Sequence, residues 1–309
     1  MPRIYVIGAL VYDIVFDVPD WVQPNRAVHA SQVTISPGGK ALNQATAARR
    51  LGATDVRLVG CVGDDVFGAE MLSALRREGV NVDSVRQLES KRTSIASIVV
   101  HDSLPGFIGA PCASRMVSEA HIRAALEDLR RGDILLLDFE IPQRQVQFAL
   151  KLGKEAGAIT VLNPAPFFTR DAFVLDYLRL VDVIIPNRLE AQLILDNGSD
   201  DVDELATGLL QHGIGTAVLT LGEAGSLLYK GDCRAEQPAF KLGAVDTTGA
   251  SDAFVGAFCH ALSLGWQVRE TLVFASAAAG LSCTRRGAMS SLPTLGEVQA
   301  LAAAAQKPS

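Results

Sequence analysis

The sequence has no uncharged apolar run approaching the ~20 residues that a bilayer-spanning helix needs. From Met1 to Asp13 there is no hydrophobic segment of signal-peptide type and no small-residue cleavage site, so no signal peptide is expected. Cysteine is scarce: Cys61, Cys112, Cys233, Cys259 and Cys283 are odd in number, widely spaced and include no C-x-x-C. That argues against a disulfide framework or zinc cluster and for reduced thiols. Concentrated positive charge is missing too. Lys and Arg are scattered and the net charge is −6, which argues against a nucleic-acid surface, because phosphate backbones are held by clustered cations. The five histidines (His29, His101, His121, His212, His260) have no metal-ligand spacing. Neither G-x-x-x-x-G-K-[ST] nor G-x-G-x-x-G occurs, so the ordinary P-loop and Rossmann fingerprints are absent. The expectation is a soluble, cytoplasmic protein with no nucleic-acid or membrane partner.

What is present is enough apolar material for a large core: 309 residues, 49% hydrophobic and 20% charged. This suits a single large α/β domain over residues 1–309. From about residue 130, short apolar runs (Ile134–Leu137, Ile159–Leu162, Val181–Ile185, Ala217–Leu221) alternate with amphipathic stretches (Gln143–Glu155, Asn187–Asp196, Glu204–His212). Such alternation predicts a parallel sheet covered on both faces. Helices are expected around Ala253–Leu264 and Thr271–Cys283, and a last one capped by Thr294 with Glu297 three residues on. The first third differs. Ile14–Val18, Ala30–Ile35 and Ser94–Val100 are β-type, bracketing helices at Ala41–Leu51 and near Ala69–Glu78. Parts of 11–36 and 93–113 are expected to form a small projecting sheet that serves as a lid, the usual device for keeping water from a reactive site.

Two motifs carry chemistry. In Asp246-Thr247-Thr248-Gly249-Ala250-Ser251-Asp252 a short β-type run, Phe240–Val245, ends in small residues and a helix follows at once. The first N–H groups of a helix lack intrahelical partners and sit at its positive end, a ready anion site. Gly249 and Ala250 would allow a phosphate close to the backbone, and Asp252 in the first turn would stand beside it as a proton acceptor, which is what phosphoryl transfer requires. The alternative is a well-capped helix whose Asp252 complements the dipole. In Gly38-Gly39-Lys40-Ala41-Leu42-Asn43-Gln44-Ala45 two glycines permit a tight turn into a helix, where Lys40 and Asn43 share a face and can reach one hydroxylated ligand. Taken alone, this could be a helix start with a solvated lysine.

Together these motifs resemble the N- and C-terminal signatures of the ribokinase-like (PfkB) sugar kinases. Val62-Gly63-Asp64-Asp65-Val66-Phe67-Gly68, Asn163-Pro164-Ala165-Pro166, Pro186-Asn187-Arg188-Leu189-Glu190 and Thr220-Leu221-Gly222 follow in family order, so the likeness spans nearly the whole chain. The resemblance implies a three-layer α/β/α fold with a mostly parallel central sheet and a small projecting β-sheet lid, an ATP-dependent kinase, Mg²⁺, K⁺ and a homodimer. It implies Asp252 as catalytic base and the amides of Gly249, Ala250 and Ser251 as anion hole. Glycine is usual at position 251, and a serine fits there only if φ is negative.

It further implies that Asn187 and Glu190 belong to the magnesium and phosphate environment, with Glu190 reaching Mg²⁺ through water. The same pair also reads as a capping box. Thr220, Gly222 and Gly225 are implied to line the nucleotide cleft. Asp13, Gly39, Lys40, Asn43 and Glu140 are implied to contact the sugar. Asp246, Thr248, Ser282, Arg285, Gly287 and Ser291 are implied to surround a monovalent cation. Val11 departs from the pattern, since ribokinases usually place a sugar-binding asparagine there, so an acceptor other than ribose is open: a nucleoside, fructose or a ketodeoxy sugar acid. A non-catalytic sensor of sugar or nucleotide is the competing class, and Ser251 is the one motif feature in its favour.

Overall fold

The computed structural model describes residues 1–102, 104–166 and 175–305. Its strands are β1 (Ile4–Ile7), β2 (Val11–Asp17), β3 (Gln32–Gly38), β4 (Val56–Gly63), β5 (Val85–Leu88), β6 (Ser94–His101), β7 (Leu104–Ala110), β8 (Ile134–Asp138), β9 (Ile159–Asn163), β10 (Val183–Ile184), β11 (Thr216–Thr220), β12 (Ser226–Lys230) and β13 (Cys233–Gln237). Its α-helices are α1 (Lys40–Arg50), α2 (Val66–Arg77), α3 (Glu119–Ala125), α4 (Gln143–Ala156), α5 (Arg188–Leu195), α6 (Val202–Gln211), α7 (Ala250–Ser263), α8 (Val268–Ser282) and α9 (Leu295–Ala305).

Nine strands form one sheet in the order β13-β12-β11-β10-β9-β8-β1-β4-β5. From β11 to β5 every pairing is parallel, and β12 and β13 add an antiparallel edge. The apolar runs explain the burial. In β8, Ile134 and Leu136 enter one core while Leu135 and Leu137 enter the other, and in β1 Ile4 and Val6 part from Tyr5 and Ile7 in the same way. A strand that alternates between two dry faces needs apolar side chains throughout, as in parallel sheets covered by helices. Helices α1, α2, α7, α8 and α9 close one face and α3 to α6 the other. This is the three-layer α/β/α arrangement expected from the sequence.

The separate sheet has the order β3-β2-β6-β7, with β2 parallel to β6 and the outer pairs antiparallel. Its strands lie within residues 11–38 and 94–110; position 103 lies outside the described residues. One expected strand is absent. Phe240–Val245 adds no strand to the sheet, because β13 already holds the edge beside β12. The segment lies instead along α8: Phe240 and Leu242 sit over Gly280, and the Val245 and Asp246 N–H groups donate to the Cys283 carbonyl at 2.8 and 3.1 Å.

One contact between helices matters for the site. At Gly256 a β-carbon would lie 2.6 Å from the Gln44 carbonyl oxygen and 2.9 Å from the Ala48 nitrogen. Helices α1 and α7 therefore cross backbone to backbone, with alanines at 45, 47 and 48 on the facing turns. Short carboxamides on α1 can thus reach the first turn of α7.

Candidate active site

The site lies at the C-terminal ends of the parallel strands, where open α/β sheets bind ligands, and at the first turns of α1 and α7. Asp252 is 5% exposed. Its Oδ2 accepts from Asn43 Nδ2 and its Oδ1 from Gln44 Nε2, both at 3.0 Å. Lys40 Nζ stands 3.8 Å from Oδ1. Lys40 and Asn43 therefore share a face as expected, and that face is turned to Asp252. Gln44 Nε2 also donates to Asn163 Oδ1 at 3.0 Å, and Asn163 Nδ2 to the Ile185 carbonyl at 2.8 Å, which ties Asp252 to the ends of β9 and β10.

Gly249 caps α7 in the left-handed region, φ 80° and ψ −3°. A β-carbon there would meet the Ala288 Cα at 3.0 Å, so only glycine fits. Ala250, expected to give its amide to an anion, donates it to the Thr247 carbonyl at 3.2 Å. The amides of Gly249, Ser251 and Asp252 have no acceptor among the described residues. Ser251 lies within the first turn of α7 and is not among the positive-φ residues. The departure from glycine is accommodated by helical backbone without strain.

Beside this turn opens a cavity of about 80 Å³, lined among others by Lys40, Asn163, Asn187, Glu190, Thr220 and Ser251. The capping box at α5 is complete: Asn187 Oδ1 accepts from the Glu190 amide and Glu190 Oε2 from the Asn187 amide, each at 2.8 Å. Burial pushes the Glu190 carboxyl above its usual range, against the Asn187 amide and the charge of Lys40. Thr220 bridges Asn187 at the end of β11. Gly222 (φ 59°) faces open space, whereas a β-carbon at Gly225 (φ 101°) would stand 2.1 Å from the Gln237 carbonyl oxygen. Packing on the end of β13 and the residues after it therefore suffices to explain Gly225.

On the acceptor side, Asp13 sits in β2 opposite Ser36 and Ala96, its carboxylate laid over Gly38, where a β-carbon would be 2.0 Å from Oδ2. Gly39 (φ 91°) turns the chain into α1 with its Cα against Ala9 and Val11. Glu140 Oε2 accepts from the Lys40 amide at 2.8 Å and so caps α1 from across the site. Lys40 is surrounded by acids: burial lowers its pKa, but Asp252, Glu140, Glu190 and Asp138 together raise it above its usual value. Burial, opposed by Lys40, holds Glu140 at about 7. Burial, with the charge of Asp252 adding, brings Asp13 from 3.8 to about 7.

A carboxyl whose folded pKa is raised contributes stability that is full below its unfolded value and is lost as pH rises through the folded one. For Asp13 that window runs from 3.8 to about 7. Asp13→Asn cannot ionise, so it should raise the melting temperature of the ligand-free protein at about pH 8 and reduce its fall between about pH 5 and 8. Scanning fluorimetry over that range checks this, and an unchanged slope refutes it.

The residues implied for a monovalent cation come from two loops that the fold joins. Asp246 Oδ1 accepts from the Thr248 amide at 2.9 Å and Oδ2 from the Gly287 amide at 2.8 Å. Burial raises the Asp246 carboxyl, but these donors and Arg286 hold it below its usual range. The Ser282 and Ser291 hydroxyls donate to the Ala279 and Ala288 carbonyls at 2.9 and 2.8 Å. The Arg285 guanidinium pairs with Glu297, so any ligand from Arg285 would be its backbone oxygen.

Three site residues had no role assigned from the sequence. Gln44 and Asn163 stood inside quoted motifs, but their meeting at Asp252 depends on the α1–α7 crossing. Asp138, fully buried at the end of β8, carries no motif; its one signal is an acid closing an apolar run.

A buried carboxylate beside free helix-start amides, with a polar cavity adjoining, is an arrangement suited to phosphoryl transfer. The family model "pfkB family carbohydrate kinase" matches residues 1–295, and the chain belongs to that family. It is 34% identical over 313 residues to the ribokinase of Schizosaccharomyces pombe, covering 96% of this chain and 97% of that protein. It is 30% identical over 296 residues to the deoxyribokinase of Salmonella typhi, covering 94% and 96%. The solved structure of ribokinase from Thermotoga maritima matches with a TM-score of 0.85 at 29% identity, covering 97% of this chain and 99% of that one. The chain is a ribokinase-like carbohydrate kinase, a phosphotransferase with an alcohol group as acceptor that uses ATP.

Proposed function

We propose that this kinase phosphorylates a pentose or a close relative, with Asp252 as the base. The observation that carries the reading is the setting of Asp252: both carboxylate oxygens are held by carboxamides of α1, Lys40 is at 3.8 Å, and free amides of the same helical turn lie alongside. In this reading Asp13, Lys40, Asn43 and Glu140 orient the acceptor so that one hydroxyl faces Asp252 and the γ-phosphorus in line. Asp252 takes the hydroxyl proton as the oxygen attacks. The Gly249 and Ser251 amides meet the charge on the transferred group, and binding at a helix start needs no reorganisation.

Glu190, Asn187 and Thr220 present oxygen donors of the type Mg²⁺ prefers, and the ion would be held through waters beside Glu190. Mg²⁺ supplies charge neutralisation on the nucleotide phosphates. A monovalent cation such as K⁺, held by oxygens of Asp246, Thr248, Ser282, Arg285, Gly287 and Ser291, would steady the 283–292 loop, whose Ala288 backbone packs on Gly249. Gly222 and Thr220 would border the nucleotide, with Gly225 supporting them.

The small sheet would serve as lid, since β2 carries Asp13. Its exposed Val33, Ile35, Leu104, Phe107 and Ile108 support a homodimer through this sheet. A sedimentation coefficient of a monomer at micromolar concentration would remove that part. No described helix is long and apolar enough to cross a membrane, in keeping with a soluble cytoplasmic enzyme. Ser251 no longer favours a sensor, because its backbone is ordinary helix.

Val11 bears on the acceptor. It lies two residues from Asp13 in β2, hence on the same strand face. An apolar group there leaves a buried hydroxyl unpaired, and such mismatches weigh heavily on specificity. The test is coupled ADP release with Mg-ATP and K⁺ against ribose, 2-deoxyribose, fructose, nucleosides and ketodeoxy sugar acids. A pentose should give the highest kcat/KM, with 2-deoxyribose used at least as well as ribose. Preference for a nucleoside or a sugar acid would overturn the pentose reading.

A further inference from the structure

The buried acid at the end of β8 has no part in the chemistry described so far. Asp138 is fully buried, directly after the apolar run Ile134–Leu137. A leucine there would continue the run, whereas a buried carboxyl carries a desolvation cost unless it is paired. Burial pushes this carboxyl well above its usual range, with Glu140 and Asp252 adding and the Glu140 amide and Lys40 opposing. Its Oδ2 has no hydrogen-bond partner among the described residues. Space is nevertheless kept for it: at Gly8 any β-carbon would lie 2.1 Å from Oδ2 and 2.7 Å from the Ala41 β-carbon.

The other oxygen accounts for the cost. Asp138 Oδ1 accepts from the Glu140 amide at 2.9 Å, closing the turn that follows β8, while the Phe139 amide donates to the Ala165 carbonyl at 3.0 Å. The turn aims Glu140 at the start of α1, where Gly39 offers no capping side chain and Glu140 Oε2 receives the Lys40 amide. Lys40 in turn stands against Asp252.

We propose that Asp138 is a positioning residue for acceptor binding: by closing the β8 turn on the Glu140 amide it aims the Glu140 carboxylate at the first turn of α1, and so sets Glu140 and Lys40 around the acceptor. This rests on the acceptor reading given above. What Asp138 contributes is an oxygen acceptor, so asparagine can replace it and an aliphatic side chain cannot.

The test is steady-state kinetics of Asp138→Asn and Asp138→Leu, with Asp138→Ala should leucine prevent folding, alongside melting temperatures and crystal structures. Asp138→Leu should raise KM for the acceptor about tenfold or more, the scale of a lost orienting interaction. KM for ATP should stay within about twofold, and Asp138→Asn should restore the acceptor KM. In the crystals, Glu140 should leave the Lys40 amide in Asp138→Leu and keep it in Asp138→Asn. An acceptor KM unchanged in Asp138→Leu, or both KM values raised together with a lowered melting temperature, would show a purely structural residue. If the wild type releases no ADP with any acceptor, the acceptor reading fails and the crystals decide on Asp138 alone: Glu140 in place in both variants overturns the proposal.

Discussion

Asp252→Asn should lower kcat by about 10²- to 10⁴-fold, the range over which a positioned general base acts, with little change in either KM. The substitution is isosteric, so the pocket keeps its shape. It places an amide donor against Asn43 Nδ2 or Gln44 Nε2, which now donate to the carboxylate at 3.0 Å. Asn43 can turn its carboxamide over, because its Oδ1 has no partner, whereas Gln44 is also bonded to Asn163. Folding should therefore survive, and thermal shift with ATP should still report binding. Coupled ADP release with the preferred acceptor is the measurement. A kcat within about tenfold of wild type would move the base elsewhere, since a lost general base costs more than that.

Gly249→Ala should be nearly as damaging, for a different reason. The residue sits at φ 80°, where a non-glycine backbone costs about 1–2 kcal/mol. Its β-carbon would also press on the Ala288 Cα at 3.0 Å and the Ala288 oxygen at 3.2 Å, so loop or helix start must shift. Either shift moves the free amides from the transferred phosphoryl group. Loss of one such donor costs about 10²-fold or more in kcat, and the melting temperature should fall by about 2–4 °C per kcal/mol. Gly265→Ala is the control: φ is 71° there too, but nothing lies within 4 Å of the added carbon. It should lose stability by the backbone term alone and keep kcat. Equal kcat losses in both variants would mean that the site responds to global destabilisation.

Much of this is legible in the sequence, because the signals are local. The run Ile134–Leu137 reads as a doubly buried strand from its own composition, and Asn187 with Glu190 reads as a helix start from spacing alone. Both hold within a residue or two, and Thr294 with Glu297 likewise opens α9. Asp252, Lys40 and Asn43 could be singled out because small residues before a helix, with an acid or an amide in its first turns, form a local pattern. The misreadings have the opposite cause. Phe240–Val245 has strand composition, but the edge it would occupy belongs to β13, and apolar contact with α8 takes it instead. Ala250 has a free amide in an ideal helix start, yet the tight turn from Thr247 uses it.

What the sequence determined by itself was the alternation of strands and helices between Ile134 and Leu221, the family and the candidate base. Each of these is written in short stretches whose periodicity, capping or residue order needs no distant partner. The tertiary structure alone decided that Gln44, 208 positions from Asp252, holds its second oxygen, that Asp138 lies beneath Glu140, and that Ser251 is unstrained. The first of these depends on how close α1 and α7 can come. Gly256 sets that distance, because the absence of its side chain lets two backbones meet, and nothing in the chain around it announces which helix it will meet.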